Sequence, residues 1–319
     1  MGRKHFRAFA WGVLGYSLCV ILWGYFLRIS ESGDGCGTDW PLCSGEVVPA
    51  GGGFPTWVEF THRASSGIAL VLVVVLAVLA FRRFGRGHPV RLAALASVLF
   101  TVTESLFGAV LVVFGWVAED VSTGRVLIRP FHVTNTFLLM GALGLTAWWT
   151  SRGVARITWP GNPQSRRFLA AAAGLLALAA TGSWTGLAGT AFPAASIAAG
   201  LAQYLDPGHL LIYLRMAHPV VAVLALVLLV RATGMPTGLG AEGVRRPLTR
   251  LVWVLGAAQP AVGTLTVLLL HPTGLRLLHL ALADFLWLAT LFLWSTHLEG
   301  GAEEPERETA ALGRASRTE

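Results

Sequence analysis

The chain has 319 residues, of which 54% are hydrophobic and 13% are charged, and it carries a formal net charge of +7. The charged fraction is about half that of an ordinary soluble domain, so the composition excludes a water-soluble globular fold. In a soluble protein this net charge would suggest a nucleic-acid partner, but here the basic residues lie in short segments between apolar runs. The charge therefore indicates membrane topology, and we expect no nucleic acid as a partner.

Apolar segments long enough to cross a bilayer recur along most of the sequence. Crossing roughly 30 Å of hydrocarbon takes about 20 apolar residues. The first such run follows three basic residues, as in a signal peptide, but it is long enough to span and has no small-residue cleavage site, so we expect it to remain as helix one. The sequence predicts an all-α integral membrane protein with eight transmembrane helices, at 8–28, 58–80, 91–114, 130–150, 168–188, 211–231, 251–270 and 275–297.

Basic residues concentrate in alternate connecting segments, at 1–7, 81–91, 151–167 and 231–250. By the positive-inside rule these segments are cytoplasmic, and eight crossings put both termini on that side. We therefore expect a multi-pass protein of the cell (inner) membrane, embedded in the lipid bilayer, with acidic outer loops. The polar tail at 299–319 has no aromatic residue and predicts a disordered cytoplasmic extension.

The two halves of the sequence match weakly. The motif Glu59-Phe-Thr-His62 on helix two corresponds to Arg215-Met-Ala-His218 on helix six. Helices three and seven each carry a polar residue four positions before a glycine, and a histidine follows on the next helix. We predict two pseudo-symmetric four-helix bundles related by an axis along the membrane normal, an N-terminal half at 1–150 and a C-terminal half at 151–298.

Four histidines lie a few residues inside helices that run from the outer to the inner side: His62, His132, His218 and His279. Two imidazoles from adjacent helices can supply both axial nitrogens of a haem iron, so four would serve two haem sites, one in each half. A single membrane histidine is more often bonded to a neighbouring helix, but four at matching positions favour ligation because intramembrane ionisable groups are rare. Copper or zinc is the alternative metal, although no sulfur or carboxylate ligands accompany all four histidines.

Charged and small residues accompany these histidines. Glu59, three residues before His62, lies on the same helix face and predicts a carboxylate beside a bound macrocycle; an acid stabilised by the helix dipole is the alternative. Arg63 and Arg215 are candidates to pair with haem propionates, or to extend to the interface. Two further acids lie well inside helices, where function is the default hypothesis: Glu104 and Asp284. The small residues suited to close approach of a macrocycle are Gly67, Gly108, Gly141, Gly263, Ser65 and Ser66.

Two of the three cysteines lie in the first outer loop, in the sequence Gly35-Cys-Gly-Thr-Asp-Trp-Pro-Leu-Cys-Ser-Gly45. That side of the membrane is oxidising, so a disulfide between Cys36 and Cys43 is compatible with the compartment. Such a bridge would either brace the loop or exchange electrons or thiols. The sequence leaves their redox state at rest open.

This loop, with Glu59-Phe-Thr-His62-Arg63, Phe131-His132, Ala217-His218 and Leu278-His279, closely resembles the haem A synthase family of bacterial and mitochondrial membranes, over nearly all of residues 8–297. The resemblance implies an oxidoreductase that converts the C8 methyl of haem O to a formyl group by successive hydroxylation, making haem A for haem-copper terminal oxidases.

The same resemblance implies roles for individual residues. His218 and His279 would be the axial ligands of a resident haem b, the cofactor. His62, His132 and Arg63 would surround the substrate haem O beside a catalytic Glu59. The implied upstream partner is a haem O synthase, a protohaem farnesyltransferase, while the electron donor and the presence of a homo-oligomer stay open.

Two features depart from the family's pattern. His218 is followed by Pro219, where members often have arginine, so the propionate partner of the second half is in doubt and helix six is expected to kink. The third outer loop, 189–211, has no cysteine, so an electron relay that needs two cysteine pairs cannot operate. The rival functions are a non-catalytic bis-histidine b-type cytochrome and a haem chaperone. Histidines clustered at one side, Glu59 and the cysteine loop favour the enzyme over both.

Overall fold

The computed structural model describes residues 2–158, 161, 163–234 and 243–302. Within them, eight helical spans are long and apolar enough to cross a membrane, which confirms the predicted all-α multi-pass architecture. The helices found in this part of the chain are α1 (Arg3–Ile29), α2 (Phe54–Arg83), α3 (Pro89–Val113), α4 (Thr123–Arg152), α5 (Pro163–Ala191), α6 (Ile197–Leu205), α7 (Leu210–Arg215), α8 (Ala217–Thr233), α9 (Arg245–Leu268) and α10 (Thr273–Leu298). The helices α7 and α8 together form the sixth span.

Local sequence explains where several helices begin and end. The hydroxyl of Ser122 accepts a hydrogen bond from the backbone N–H of Arg125 and caps α4, which therefore starts more than a turn before the predicted position. At its other end α4 terminates at Gly153, whose φ of 67° lies in the left-handed region that glycine adopts without strain. The short helix α6, capped by Ser196, lies in the segment 189–211 that we expected to be a loop.

The sixth span is interrupted at Met216, three residues before Pro219. A proline has no N–H to donate to the carbonyl four residues earlier, and its ring displaces that carbonyl. The displaced carbonyl belongs to Arg215, and it accepts a hydrogen bond from the hydroxyl of Thr185 on α5 at 3.3 Å instead. The predicted kink in helix six is therefore confirmed, and its lost hydrogen bond is replaced by a neighbouring helix.

At the end of the bundle opposite the histidines, two short strands form that the sequence did not predict. The strands β1 (Val154–Ile157) and β2 (Glu299–Ala302) pair antiparallel. The carboxylate of Glu299 accepts a hydrogen bond from Trp148 Nε1 at 3.2 Å and lies 3.3 Å from Arg152 Nη2. The prediction of a disordered tail is thus wrong for 299–302, because a backbone ladder and an ion pair order these residues. The rest of that tail, 303–319, lies outside the described residues.

The spans pack as two groups of four. In the first group, α1, α2, α3 and α4 contact one another in a closed ring, and α5, α8, α9 and α10 form a ring in the same order. The two groups meet where α1 and α4 contact α5 and α10, a surface that we call the seam. The groups correspond to the two predicted halves, while the symmetry axis between them stays a prediction.

The helices α4 and α10 have the largest buried share of the eight spans, and glycine lets them approach closely at the seam. A Cβ atom at Gly144 would lie 2.5 Å from a methyl of Leu288, and one at Gly141 would lie 3.0 Å from Trp287 Nε1. The same indole N–H donates to the carbonyl of Phe137 at 2.6 Å. Small residues and buried hydrogen bonds are the usual means of joining helices within a membrane.

Candidate functional site

The four predicted histidines lie at matching depths in their helices. His62, His132 and His279 are the ninth, tenth and seventh residues of α2, α4 and α10, and His218 is the ninth residue counted from the start of α7. At a rise of about 1.5 Å per residue, each imidazole lies roughly 10–15 Å from the beginning of its span. These four spans run in the same direction because successive spans alternate. We call the end of the bundle where they begin the histidine end.

Glycines on neighbouring helices make room for three of the imidazoles. A Cβ atom at Gly24 on α1 would lie 2.5 Å from Cε1 of His62. In the second group, a Cβ atom at Gly182 would lie 3.1 Å from Cε1 of His218. The same holds for Gly263, whose Cβ would lie 3.1 Å from Cε1 of His279. The space around the imidazoles therefore depends on the absence of side chains at these positions.

One of these three glycines was predicted from the sequence to lie near a macrocycle, and two were not. Gly263 was among the predicted small residues, whereas Gly67 and Gly108 face open space and Gly141 packs in the seam. The missed positions are Gly24 and Gly182. Their proximity to histidine follows from helix packing, which the sequence does not reveal.

His218 and His279 face each other in the second group. Their ring centres are 6.3 Å apart and their planes make an angle of 79°. Two imidazoles that bind one metal from opposite sides at about 2.0 Å, with ring centres about 1.1 Å further out, have those centres about 6 Å apart. The Nδ1 atom of His279 is buried without a hydrogen-bond partner, while Nδ1 of His218 lies 3.5 Å from the hydroxyl of Thr181. This pair fits the axial ligands of a haem.

In the first group, the structure brings Glu104 to His132. The carboxylate Oε1 of Glu104 lies 3.5 Å from His132 Nε2. Asn135 and Thr136, one turn further along α4, donate hydrogen bonds to the same carboxylate at 2.7 and 2.5 Å. The Nδ1 atoms of His62 and His132 are both buried without a partner. Buried polar atoms are normally satisfied, so these imidazoles are candidates for a ligand.

The other acid singled out from the sequence, Asp284, is fully buried on α10, and neither of its carboxylate oxygens has a hydrogen-bond partner among the described residues. The same part of the chain contains no group of three or more His, Cys, Asp or Glu side chains that could hold a metal ion.

Glu59 anchors the cysteine loop to α2. Its side chain is only 3% exposed, and its Oε2 accepts a hydrogen bond from the backbone N–H of Cys36 at 2.8 Å. Its Oε1 accepts from Arg63 Nη2 at 2.6 Å and from Nε at 3.1 Å. Both carboxylate oxygens therefore have hydrogen-bond partners within the protein. These bonds stabilise Glu59 in addition to any effect of the dipole of α2.

Arg63 extends the same anchor. Its Nη1 donates to the carbonyl of Asp39 at 2.7 Å and to the carbonyl of Leu42, and Nη2 approaches the carbonyl of Gly37 at 3.4 Å. One guanidinium thus joins the start of α2 to both sides of the loop. These guanidinium donors bond to the loop. The predicted pairing of Arg63 with a haem propionate stays a prediction.

Cys36 and Cys43 form a disulfide. Both are buried, with 0% and 2% of their surface exposed. The backbone closes the same loop, because Ser44 N–H donates to the carbonyl of Cys36 and Cys43 pairs with Glu46. The bridge and the Glu59 anchor hold the loop over the histidine end of α2.

Arg215 is held within the second group. Its Nη1 donates to Gln203 Oε1 at 3.1 Å, and its Nη2 donates to the carbonyl of Ala188 at 2.9 Å. Its charge acts on His271, which lies in the connection between α9 and α10. Burial lowers the pKa of His271, and the positive charges of Arg276 and Arg215 lower it further, so this histidine is neutral at neutral pH.

The fold and these contacts define a class: an eight-span helical membrane protein with half-buried histidines grouped at one end and a disulfide-closed loop above them. Residues 53–291 match the family described as COX15-CtaA, cytochrome oxidase assembly protein. The chain therefore belongs to this family, which is the haem A synthase family.

Individual relatives match this chain over different lengths. The chain is 41% identical over 300 residues to a protohaem IX farnesyltransferase of Thermus thermophilus, covering 93% of this chain and 49% of that protein. It is 40% identical over 96 residues to the haem A synthase of Halalkalibacterium halodurans, covering 30% of this chain and 32% of that protein. A haem A synthase of Bacillus mycoides is 39% identical over 98 residues. The chain thus spans about half the length of the Thermus protein.

Proposed function

We propose that this chain is a haem A synthase that oxidises the C8 methyl of haem O to a formyl group, with dioxygen as the oxidant and water as the second product, producing haem A for haem-copper terminal oxidases. The observation that carries the proposal is the facing pair of His218 and His279 in a chain of this family. The Thermus relative supports haem O as substrate, because a segment like this chain occurs within a longer protein named for protohaem farnesylation. A haem O synthase would then supply the substrate.

In this proposal the two groups of helices have different functions. His218 and His279 would hold a resident haem b, a role supported by the 6.3 Å separation of their ring centres. His62 and His132 flank the substrate haem, beside the acid Glu104 and below the cysteine loop. A bound haem b would supply one-electron transfer.

The residues around the substrate site orient the macrocycle and exclude water. Glu104 Oε1 lies 3.5 Å from His132 Nε2 and orients that imidazole, and Asn135 and Thr136 fix the carboxylate. Glu59 and Arg63 hold the disulfide loop as a cover over this end of α2, and an enclosed site protects a reactive substrate from solvent. In this proposal Glu59 also presents its carboxylate to the substrate, and Arg63 pairs with a propionate.

The same proposal places the protein in the cell (inner) membrane with both termini cytoplasmic. The support is the concentration of basic residues in alternate connections and the disulfide in a loop at the histidine end. Substrate oxidation then takes place near the outer face.

The test is conversion of haem O in cells. The chain is expressed in a host that lacks haem A synthase, together with a protohaem farnesyltransferase, and extracted haems are separated by chromatography and identified by mass. Hydroxylated and formyl haem are the expected products. A bound haem b spectrum with haem O unchanged would instead identify a bis-histidine cytochrome or a haem chaperone.

Substitution of Glu59 separates its two proposed roles. Glu59→Gln keeps an acceptor for the Cys36 N–H but removes the negative charge, whereas Glu59→Ala removes both. If the carboxylate acts on the substrate, both variants lose conversion by about 100-fold or more while the haem b spectrum persists. If Glu59 only anchors the loop, Glu59→Gln retains most conversion, and the catalytic assignment is wrong.

A further inference from the structure

Three arginines lie close together where the two groups of helices meet at the histidine end. Arg28 is in the last turn of α1, Arg129 is near the start of α4, and Arg276 is near the start of α10. Arg129 is only 9% exposed. A Cβ atom at Gly186 of α5 would lie 3.0 Å from both terminal nitrogens of Arg28, which shows how closely the second group approaches it. We call these three residues the seam arginines.

Two of the three seam arginines, Arg28 and Arg129, have unused hydrogen-bond donors. Nε and Nη1 of Arg28 and Nε of Arg129 are shielded from solvent and have no hydrogen-bond partner. Arg28 lies over the ring of Tyr25 at 4.3 Å, and the hydroxyl of that tyrosine is within hydrogen-bonding reach of Arg276 and Arg28. A neutral phenol stabilises a cation only weakly, so it does not balance these charges.

The charges of the seam arginines repel one another. Arg28 interacts electrostatically with Arg276 and with Arg129, and Arg125 adds a further positive charge beside them. Among the residues that the structure describes, no carboxylate forms an ion pair with any of the three. Buried charge without a counter-charge is costly, and the cost grows when like charges share the site. The arrangement therefore calls for an anion from outside the chain.

The position of these residues relative to the histidines indicates which anion. Arg129 precedes His132 by three residues and Arg276 precedes His279 by three residues, so each arginine shares a helix face with a proposed ligand. Residues at this spacing have Cβ atoms about 5–6 Å apart. Arg28 interacts electrostatically with both of these arginines. The site thus adjoins both macrocycle sites at once, one turn nearer the histidine end.

The arginines first considered for the propionates have other partners. Arg63 donates to Glu59 and to carbonyls of the cysteine loop. Arg215 donates to Gln203 and to the carbonyl of Ala188. Within the seam, Arg28 and Arg129 keep buried donors without a partner in the described structure.

We propose that Arg28, Arg129 and Arg276 form an anion site at the seam that binds the propionate carboxylates of the haems in both groups. This inference rests on the proposed function, because it takes the histidines to bind haem. A guanidinium donates two parallel hydrogen bonds to a carboxylate, and the pair is stronger where water is excluded. Such a site joins the resident haem and the substrate haem through one set of charges.

The test compares haem with its dimethyl ester, in which both propionates are blocked. The full chain is purified in neutral detergent from haem-depleted cells and titrated with each compound by absorbance. We expect the unmodified protein to bind haem at least about tenfold more tightly than the ester. Arg129→Met and Arg276→Met should reduce that preference to about twofold or less, while Arg129→Lys retains part of it. Arg250→Met, an exposed arginine on α9 at the opposite end, should retain it fully.

The outcomes distinguish this inference from the proposed function. Equal binding of haem and ester by the unmodified protein, with a bis-histidine spectrum, overturns the seam site and leaves haem binding in place. Failure to bind either compound overturns haem binding and the seam site together. If inorganic phosphate or phosphatidylglycerol vesicles raise the unfolding temperature in an Arg129-dependent manner while haem and ester bind alike, the site belongs to a phosphate, and the propionate assignment is wrong.

Discussion

Single residues at the histidine end have partners that their motifs do not specify. The cysteine pair and the four histidines were identifiable from the sequence because their spacing and helix positions limit what they can do. The contacts of Glu59 were not, because its partner Cys36 lies 23 positions away in a loop that folds back over α2. The contact between Glu104 and His132 likewise depends on how α3 packs against α4.

At this scale, Glu104→Gln tests how His132 is positioned. The amide keeps the size of the side chain but loses the charge that faces His132 Nε2 and attracts the Asn135 and Thr136 donors. Loss of a residue that orients a ligand typically costs about 10- to 100-fold in affinity or activity. We expect a loss of that size in haem O conversion, with the haem b spectrum unchanged. Asp284→Asn, which alters an acid without described partners, is the control; an equal loss in both variants would contradict a specific role for Glu104.

The helices were more predictable from the sequence than the strands. The eight spans follow from hydropathy because each must satisfy its backbone within the bilayer. The break before Pro219 was also predictable, since proline removes one helical hydrogen bond wherever it occurs. The strands β1 and β2 were missed because each has four residues and gains its stability from pairing with the other, across more than 140 positions of sequence.

The approach of α4 to α10 gives the prediction at the scale of helices. Gly144→Leu places a side chain against Leu288 and should separate the two helices. Overpacking of this kind costs about 1–3 kcal/mol, and more where backbone must move. The measurement is thermal unfolding in detergent, with Gly12→Leu as control because nothing lies within 4 Å of its Cβ position. A similar unfolding temperature for both variants would show that the seam tolerates the separation.

At the scale of the whole molecule, the two rings of helices meet at α4 and α10, which also carry His132 and His279. The same two helices carry Arg129 and Arg276, so the seam carries both packing contacts and residues next to the proposed haem sites. The division into two groups of four helices was predictable from the repeated motifs. The charged contacts between them were not, because residues from α1, α4, α5 and α10 meet only after the rings have packed.

The orientation of the molecule is open to a direct test in intact cells. Val47 is 79% exposed in the cysteine loop, and Arg86 is exposed in the connection between α2 and α3, where basic residues concentrate. In a background with Cys19 replaced by alanine, a membrane-impermeant maleimide should label Val47→Cys and leave Arg86→Cys unlabelled, because the positive-inside rule places Arg86 in the cytoplasm. Both should be labelled after permeabilisation. Labelling of Arg86→Cys alone in intact cells would invert the topology and place the disulfide, with all four histidines, near the reducing side.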